Sequence, residues 1–216
     1  MMISTAIAGH DNPACIDPGR IDPPVLRSDL LSQVHGLNAD YLELVASRAP
    51  GPCAQIEFFA PKVQESLARL SAEHRARLAA TPYAIYTVRF DDARFWRAAC
   101  ACERSGILEK YASTAGSLES AFCETVLLQA WHIAITNGLA ARVLYGMHDA
   151  VRAALASTPL WQLRRIAMEH PNLLAPRWPT NPCFWPDLLA FVQAGDSVRL
   201  ATTQLLGMQL IAAELK

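Results

Sequence analysis

Six cysteines, six histidines and a few paired arginines are the side chains of this 216-residue chain whose types could do chemistry. Cys100-x-Cys102, with Cys123 and His132, is the nearest approach to a metal site. Structural zinc, however, takes its ligands in C-x2–4-C or H-x3–5-H pairs, and neither spacing occurs. The six thiols, Cys15, Cys53, Cys100, Cys102, Cys123 and Cys183, lie mostly in apolar helical surroundings and read as reduced, buried small hydrophobes. His35, His74, His148 and His170 are scattered. No Gly-rich phosphate loop is present, and no Ser or Cys has an activating base nearby in sequence. The expectation is a protein without catalytic, cofactor-binding or metal-binding residues, and so not an enzyme.

Arginines offer a second kind of chemistry, recognition of phosphate or of guanine edges. Arg75 and Arg77, and Arg164 and Arg165, fall on the second helix of two expected helix pairs, 63–80 and 150–168, each of helix-turn-helix size. The competing reading is that these pairs are ordinary α-hairpins with solvated arginines, because no further basic, Asn or Gln residues flank them as base readout would want. Arg89 and Arg177 are each followed by an aromatic residue. A guanidinium bonded in two places would tie the two halves of the chain together, and contact with a partner is the alternative. Trp161, Trp178 and Trp185 gather around prolines, with Trp96 as their upstream relative, and read as core or interface anchors.

These residues sit on elements legible from periodicity and punctuation. Residues 1–25 hold Pro13, Pro18, Pro23 and Pro24 among Gly and Asp and form an N-terminal arm. A helix begins near Ser28-Asp29 with Leu30, Val34, Leu37, Tyr41, Leu44 and Val45 on one face. Pro61 opens a second helix, Ser71 caps a third, residues 83–90 are extended, and Asp91-Asp92 caps a fourth. Residues 105–116 form a linker. A long helix follows from Ser117, closed by Gly138 as a left-handed cap. Thr158-Pro159 and Asn181-Pro182 are read as an N-cap followed by proline at the first helical position. The last helix, Asp196 to Leu215, is amphipathic and is a candidate clasp or partner-binding surface.

The two helix pairs resemble each other. With Arg89 set on Arg177, a spacing of 88, Val63/Val151, Leu67/Leu155, Ala68/Ala156, Arg77/Arg165 and Ala79/Ala167 coincide without a gap. One residue inserted after Phe90/Trp178 brings Phe95-Trp96 onto Phe184-Trp185. A self-match at one long period predicts a duplicated unit. The expected organisation is a mainly α fold with repeats at 26–104 and 117–194, joined by the linker and followed by a C-terminal helix at 195–216. Composition agrees with a large core, being 52% hydrophobic and only 18% charged. Net charge is −1, and each repeat body carries only two more basic than acidic residues (nine against seven in 55–116, seven against five in 139–216). A protein that binds nucleic acid alone is usually far more basic, so any DNA contact is expected inside a complex. The absence of an apolar run of about 18 residues argues against a membrane span, and the opening residues lack the basic region of a signal peptide, so the cytoplasm is the expected location.

The stretch from Leu30 to Ser47 resembles the opening helix of the FlhD family of flagellar transcriptional regulator subunits, through Val34, Leu37, Asn38, Tyr41 and Leu42. Val88 to Asp92 is similar to that family's Phe-Arg-Phe-Asp segment. Ala140 to Trp178 is similar to it almost without gaps, through Gly146, Leu155-Ala156, Pro159 to Leu163 with Gln162, Ile166-Ala167 and Arg177-Trp178. FlhD proteins are about half this length and form homodimers, so the chain looks like two FlhD-like units in tandem, a covalent pseudo-dimer. The family's cysteine three residues before the arginine is Tyr86 here and Leu174 in the other half, so its disulfide is not expected. The resemblance implies a helical regulator acting with an FlhC-like partner, the principal DNA-contacting and zinc-binding subunit, to activate flagellar operons. The alternative is a scaffold or accessory component of a flagellar or type III secretion system that does not bind DNA. Homo-oligomerisation is compatible with both.

Overall fold

The computed structural model describes residues 28–47, 59–101, 117–170 and 172–216. The arm at 1–25 and the linker at 105–116 lie outside these residues, as do Cys15, Cys53 and Cys102. Ten helices and one two-stranded ladder make up the described chain. In chain order they are α1 (Ser28–Ser47), α2 (Pro61–Ala68), α3 (Ala72–Ala79), β1 (Tyr86–Thr87), α4 (Ala93–Ala101), α5 (Leu118–Thr136), α6 (Gly138–Tyr145), α7 (Asp149–Ala156), α8 (Leu160–Glu169), β2 (Ala175–Pro176), α9 (Phe184–Ala194) and α10 (Ser197–Glu214). None of these helices is long and apolar enough to cross a membrane.

Helix starts follow local chemistry. Pro61 occupies the first turn of α2, where its missing N–H costs nothing, and Ser71 Oγ accepts from His74 N to cap α3. Asp92 Oδ1 accepts from Phe95 N at 2.8 Å, and Asn181 Oδ1 accepts from Phe184 N at 3.0 Å, so α4 and α9 begin alike. Three expectations are corrected. Gly138 does not close α5. Asn137 instead turns the chain with an extended φ of −151° and caps α6, of which Gly138 is the first residue; the left-handed glycine caps are Gly146 after α6 and Gly195 after α9. Thr158 does not cap α8, because its hydroxyl donates back to Ala154 O at 2.7 Å, and the helix starts after Pro159. The helix at Asn181-Pro182 begins two residues later than Pro182, at Phe184, since Asn181 also binds Cys183 N.

The core is continuous across the chain. α1 packs on α2, α3 and α5, and α5 packs on α7 and α8. The outlying helices cross over: α4 lies on α7, while α9 lies on α2 and α3. Between them β1 and β2 pair antiparallel, Tyr86 opposite Pro176 and Thr87 opposite Ala175. The buried positions Val34, Leu37, Asn38, Tyr41 and Val45 of α1 recur 89 residues later in α5 as Cys123, Val126, Leu127, Ala130 and Ala134. Indole N–H groups anchor both crossing helices, Trp96 Nε1 to Arg89 O at 2.9 Å and Trp185 Nε1 to Arg177 O at 2.6 Å.

α10 closes the molecule by laying Leu200, Thr203, Gly207 and Ile211 against it. Gly207 has no side chain because Tyr83 and Phe184 occupy the place a Cβ would take. Tyr83 Oη then donates to Gln204 O at 2.9 Å, and Gln204 Nε2 reaches Thr81 Oγ1 at 3.1 Å. A helical Gly→Ala change ordinarily stabilises by about 0.5–1 kcal/mol. Gly36, mid-α1 with nothing within 4 Å of its Cβ position, should follow that rule. Gly207→Ala should reverse it, since overpacking a core costs about 1–3 kcal/mol. In thermal unfolding, G36A is expected to melt above the wild-type chain and G207A below it; a rise for G207A would mean that α10 does not seat on Tyr83.

Candidate functional site

Arg177 is the one charged residue classed as buried among those described, with 5% of its surface exposed. Burial penalises its positive charge, which lowers the pKa, and Glu214 opposes that shift. The lost water is replaced from three directions. Its Nε donates to Tyr86 O at 3.3 Å, one Nη donates to Tyr145 O, and the other lies 3.9 Å from a carboxylate oxygen of Glu214. Its backbone N–H donates to Ile85 O at 3.0 Å. Gly146, left-handed at φ +59°, backs the guanidinium so closely that a Cβ would lie 2.7 Å from it. Glu214 also accepts from Trp178 Nε1 at 2.5 Å, and its carbonyl lies 3.1 Å from His148 Nε2. Strand β1, the end of α6 and the last turn of α10 thus meet on one side chain.

Arg89 does something different. It is 51% exposed on its side chain, pairs with Asp92 at 2.5 Å, and lies 4.8 Å over the Phe95 ring. The N–H of Phe95, followed by Arg89, pulls the Asp92 pKa down. The reason is a one-residue difference in register. The turns place Arg89 (φ 58°) in the role of Trp178 (φ 49°), with Asp92 N bonding Arg89 O as Asn181 N bonds Trp178 O. The two turns thus align Arg89 with Trp178 rather than with Arg177, and the two guanidinium groups point to different surroundings. Arg89 lines an open cavity of about 200 Å³ with Phe95, Glu169, His170, Asn172 and Leu173.

The arginines singled out for nucleic acid are mostly engaged. Arg75 pairs with Glu43 at 3.1 Å and donates to Leu70 O at 2.7 Å. Arg164, exposed, faces Glu124 at 3.6 Å. Arg165 has 11% of its side chain exposed; it lies over Trp161, faces Glu169 at 3.6 Å, and donates to Ala99 O at 3.2 Å. Gln162 donates to Ala99 O and Cys100 O, so Gln162 and Arg165 together satisfy the carbonyl end of α4. Arg77 is half-buried, and its carbonyl accepts from Gln204. No pair of these arginines presents two free heads to one groove.

Trp178 packs edge-on against Tyr83 and Phe184, and Trp185 against Phe59. Cys123 is buried and Cys100 half-buried, but Cys183 is exposed at the start of α9, which corrects the expectation for that thiol. Asn38 lies on the apolar stripe of α1. It is fully buried, donates to Ala79, Thr81 and Tyr83 carbonyls, and accepts from Ile85 N, which fixes the path of the chain into β1. A lone amide on the apolar stripe of a helix was the available signal. Compared with known protein families, curated proteins and solved structures, the chain finds no match.

Two predictions follow from this geometry. Arg177→Met strands two buried carbonyls at about 1–3 kcal/mol each, so its melting temperature should fall by about 5–15 °C. Arg89→Ala should leave it near the wild-type value, because water and salt screen exposed pairs; equal losses would refute the distinction. The second concerns alkali. Burial raises the pKa of Tyr83, Tyr86 and Tyr145, and pushes the Cys123 thiol up to about 12. Each group keeps its proton in the folded chain at a pH where the unfolded chain has lost it, so stability falls as pH rises. The urea midpoint should hold steady up to about pH 8.5 and decline from there through about pH 11, less steeply in Tyr86→Phe; a midpoint independent of pH over that range would contradict it.

Proposed function

We propose that the chain is a non-enzymatic, FlhD-like subunit, two family-sized units fused in tandem as an intramolecular pseudo-dimer, which regulates flagellar or related genes within a multiprotein complex. The self-match at a spacing of 88 residues supports the tandem reading, as do the like-sized α2 and α7 and the reciprocal crossing of α4 and α9. An FlhC-like protein is the expected partner, and the cytoplasm the expected place.

One observation carries the part of this proposal that concerns a protein partner. The outward face of α1 is polar, with Asp29, Ser32, Gln33, Asp40 and Glu43 exposed or nearly so. The corresponding face of α5 is uncharged beyond Glu124, and exposes Thr125, Leu128, His132, Ile135 and, at the start of α6, Leu139. An exposed apolar stripe of that kind is a surface suited to a macromolecule.

The engagement of Arg75, Arg164 and Arg165 favours a second reading, in which the chain is a scaffold or accessory component of a flagellar or type III secretion system without affinity for DNA. Binding to an FlhC-type protein, followed by mobility shift on promoter DNA with and without it, separates the readings. The regulator is expected to bind the partner and to retard DNA only in its company. Leu128→Glu with Ile135→Glu should weaken partner binding at least tenfold while leaving the circular dichroism unchanged. Failure of the wild-type chain to bind the partner or shift DNA would overturn the regulator reading, and unimpaired binding by the double variant would overturn the α5 surface.

A further inference from the structure

We propose that the outward face of α10 is a self-association surface, on which α10 of a second copy of this chain lies antiparallel. The inference stands apart from the FlhD-like reading. From Leu200 to Ala213 α10 carries no charged residue. Its inner positions are buried on the body of the molecule, yet Val198 is 74% and Leu205 59% exposed on the other side. Leu206, Ala201, Thr202, Gln209, Ala212 and Ala213 are exposed with them. Positions 198, 202, 205, 209 and 212 follow the alternating four-three spacing of a coiled-coil seam. Charged residues that would keep a solvated helix face apart from its neighbours are missing along the whole stripe.

The occupant follows from how this stripe complements itself. Leu205 and Leu206 lie at the midpoint of α10, with small residues, Ala201 and Ala212, to either side. A two-fold axis through the midpoint sets leucine against leucine, Val198 against Ala213 of the second copy, and Thr202 against Gln209 of the second copy, where a hydroxyl and an amide can bond. The same axis sets the Asp196–Arg199 pair of one copy, 3.5 Å apart, beside Glu214 and Lys216 of the other, so each end meets both signs of charge. Parallel pairing would instead stack Arg199 on Arg199 and Lys216 on Lys216. Charge complementarity therefore selects the antiparallel, isologous arrangement. A helix of 18 residues is about 27 Å long, and one helix face buries less than the roughly 800 Å² per partner of a tight interface. The dimer should accordingly be reversible, forming at micromolar concentrations.

Sedimentation velocity of the full chain over a concentration series tests this. The mass is expected to rise from 23.7 kDa towards twice that value, and Leu205→Glu with Leu206→Glu should remain monomeric at the highest concentration reached. Oxidative cross-linking in a background with Cys15, Cys53, Cys102 and Cys183 all changed to Ser reads the geometry without charge substitutions. Leu205→Cys, near the axis, should form a disulfide-linked dimer, whereas Val198→Cys, about 22 Å from its own copy in this arrangement, should not. A wild-type chain that stays monomeric throughout, a dimer that survives the double glutamate variant, or cross-linking through Val198→Cys would each overturn the proposal.

Discussion

Burying one guanidinium is the constraint on which the rest of this fold depends. An arginine out of water must satisfy its N–H groups or destabilise the structure by several kcal/mol. Arg177 bonds through Nε and one Nη, and holds the other Nη 3.9 Å from a carboxylate, because three segments distant in sequence converge on it: Tyr86 of β1, Tyr145 at the end of α6, and Glu214 at the end of α10. Each brings a condition of its own. Gly146 must be a glycine, both for its left-handed φ and because a Cβ would collide with the guanidinium. Strand β2 must hold its register so that Arg177 N meets Ile85 O, and α10 must come close enough to Tyr83 for Glu214 to reach Arg177 and Trp178. Moving any of these loses the satisfaction of the charge.

Asn38 performs the same office on the other side of the ladder with a neutral group. Its single side-chain amide takes up polar groups of residues 79–85, a loop that passes through the core and would otherwise bury unpaired carbonyls. Together the two residues explain how a chain with only two residues in each strand holds a defined ladder. Such a ladder has almost no stability of its own. Polar hubs within a hydrophobic shell specify its register, while Tyr41, Tyr86, Phe90 and Tyr145 supply the apolar contact around it.

Local signals made much of this readable in the sequence. Pro61, Ser71, Asp92 and Asn181 mark helix starts through chemistry confined to three or four residues, and the stripe Val34, Leu37, Tyr41, Val45 marks a buried face. The departures are of the opposite kind. Thr158 and Gly138 carry the correct residue types for caps, but contacts elsewhere decide their conformations: the Thr158 hydroxyl turns back to α7, and Asn137 redirects the chain before a left-handed glycine is needed. The two arginines diverge for a like reason. Arg89 and Arg177 match in type and in their aromatic neighbours, but a single residue of register puts one in solvent and the other in the core. Side-chain direction at a turn with positive φ is set by backbone geometry that composition does not encode.

The surfaces differ more than the interiors, and that difference has a physical logic. Core positions of α1 and α5 answer to the same packing, so Val34, Leu37 and Tyr41 have apolar counterparts of similar burial in Cys123, Val126 and Ala130. Outward positions answer only to what covers them. In a homodimer of identical units, any change to an outward face appears twice, related by the two-fold axis. A chain read as two fused units escapes that constraint: Asp40 and Glu43 can keep α1 solvated while Leu128 and Ile135 make α5 apolar, and an eighteen-residue helix can close one end with no counterpart among the other described residues. Glu214 is the point at which this asymmetry enters the core, since it brings a carboxylate to Arg177 that no helix among the described residues brings to Arg89, which pairs with Asp92 from its own turn. On the proposed tandem reading, the unequal burial of the two arginines and the unequal faces of the two long helices follow from one freedom, that of changing one half without changing the other.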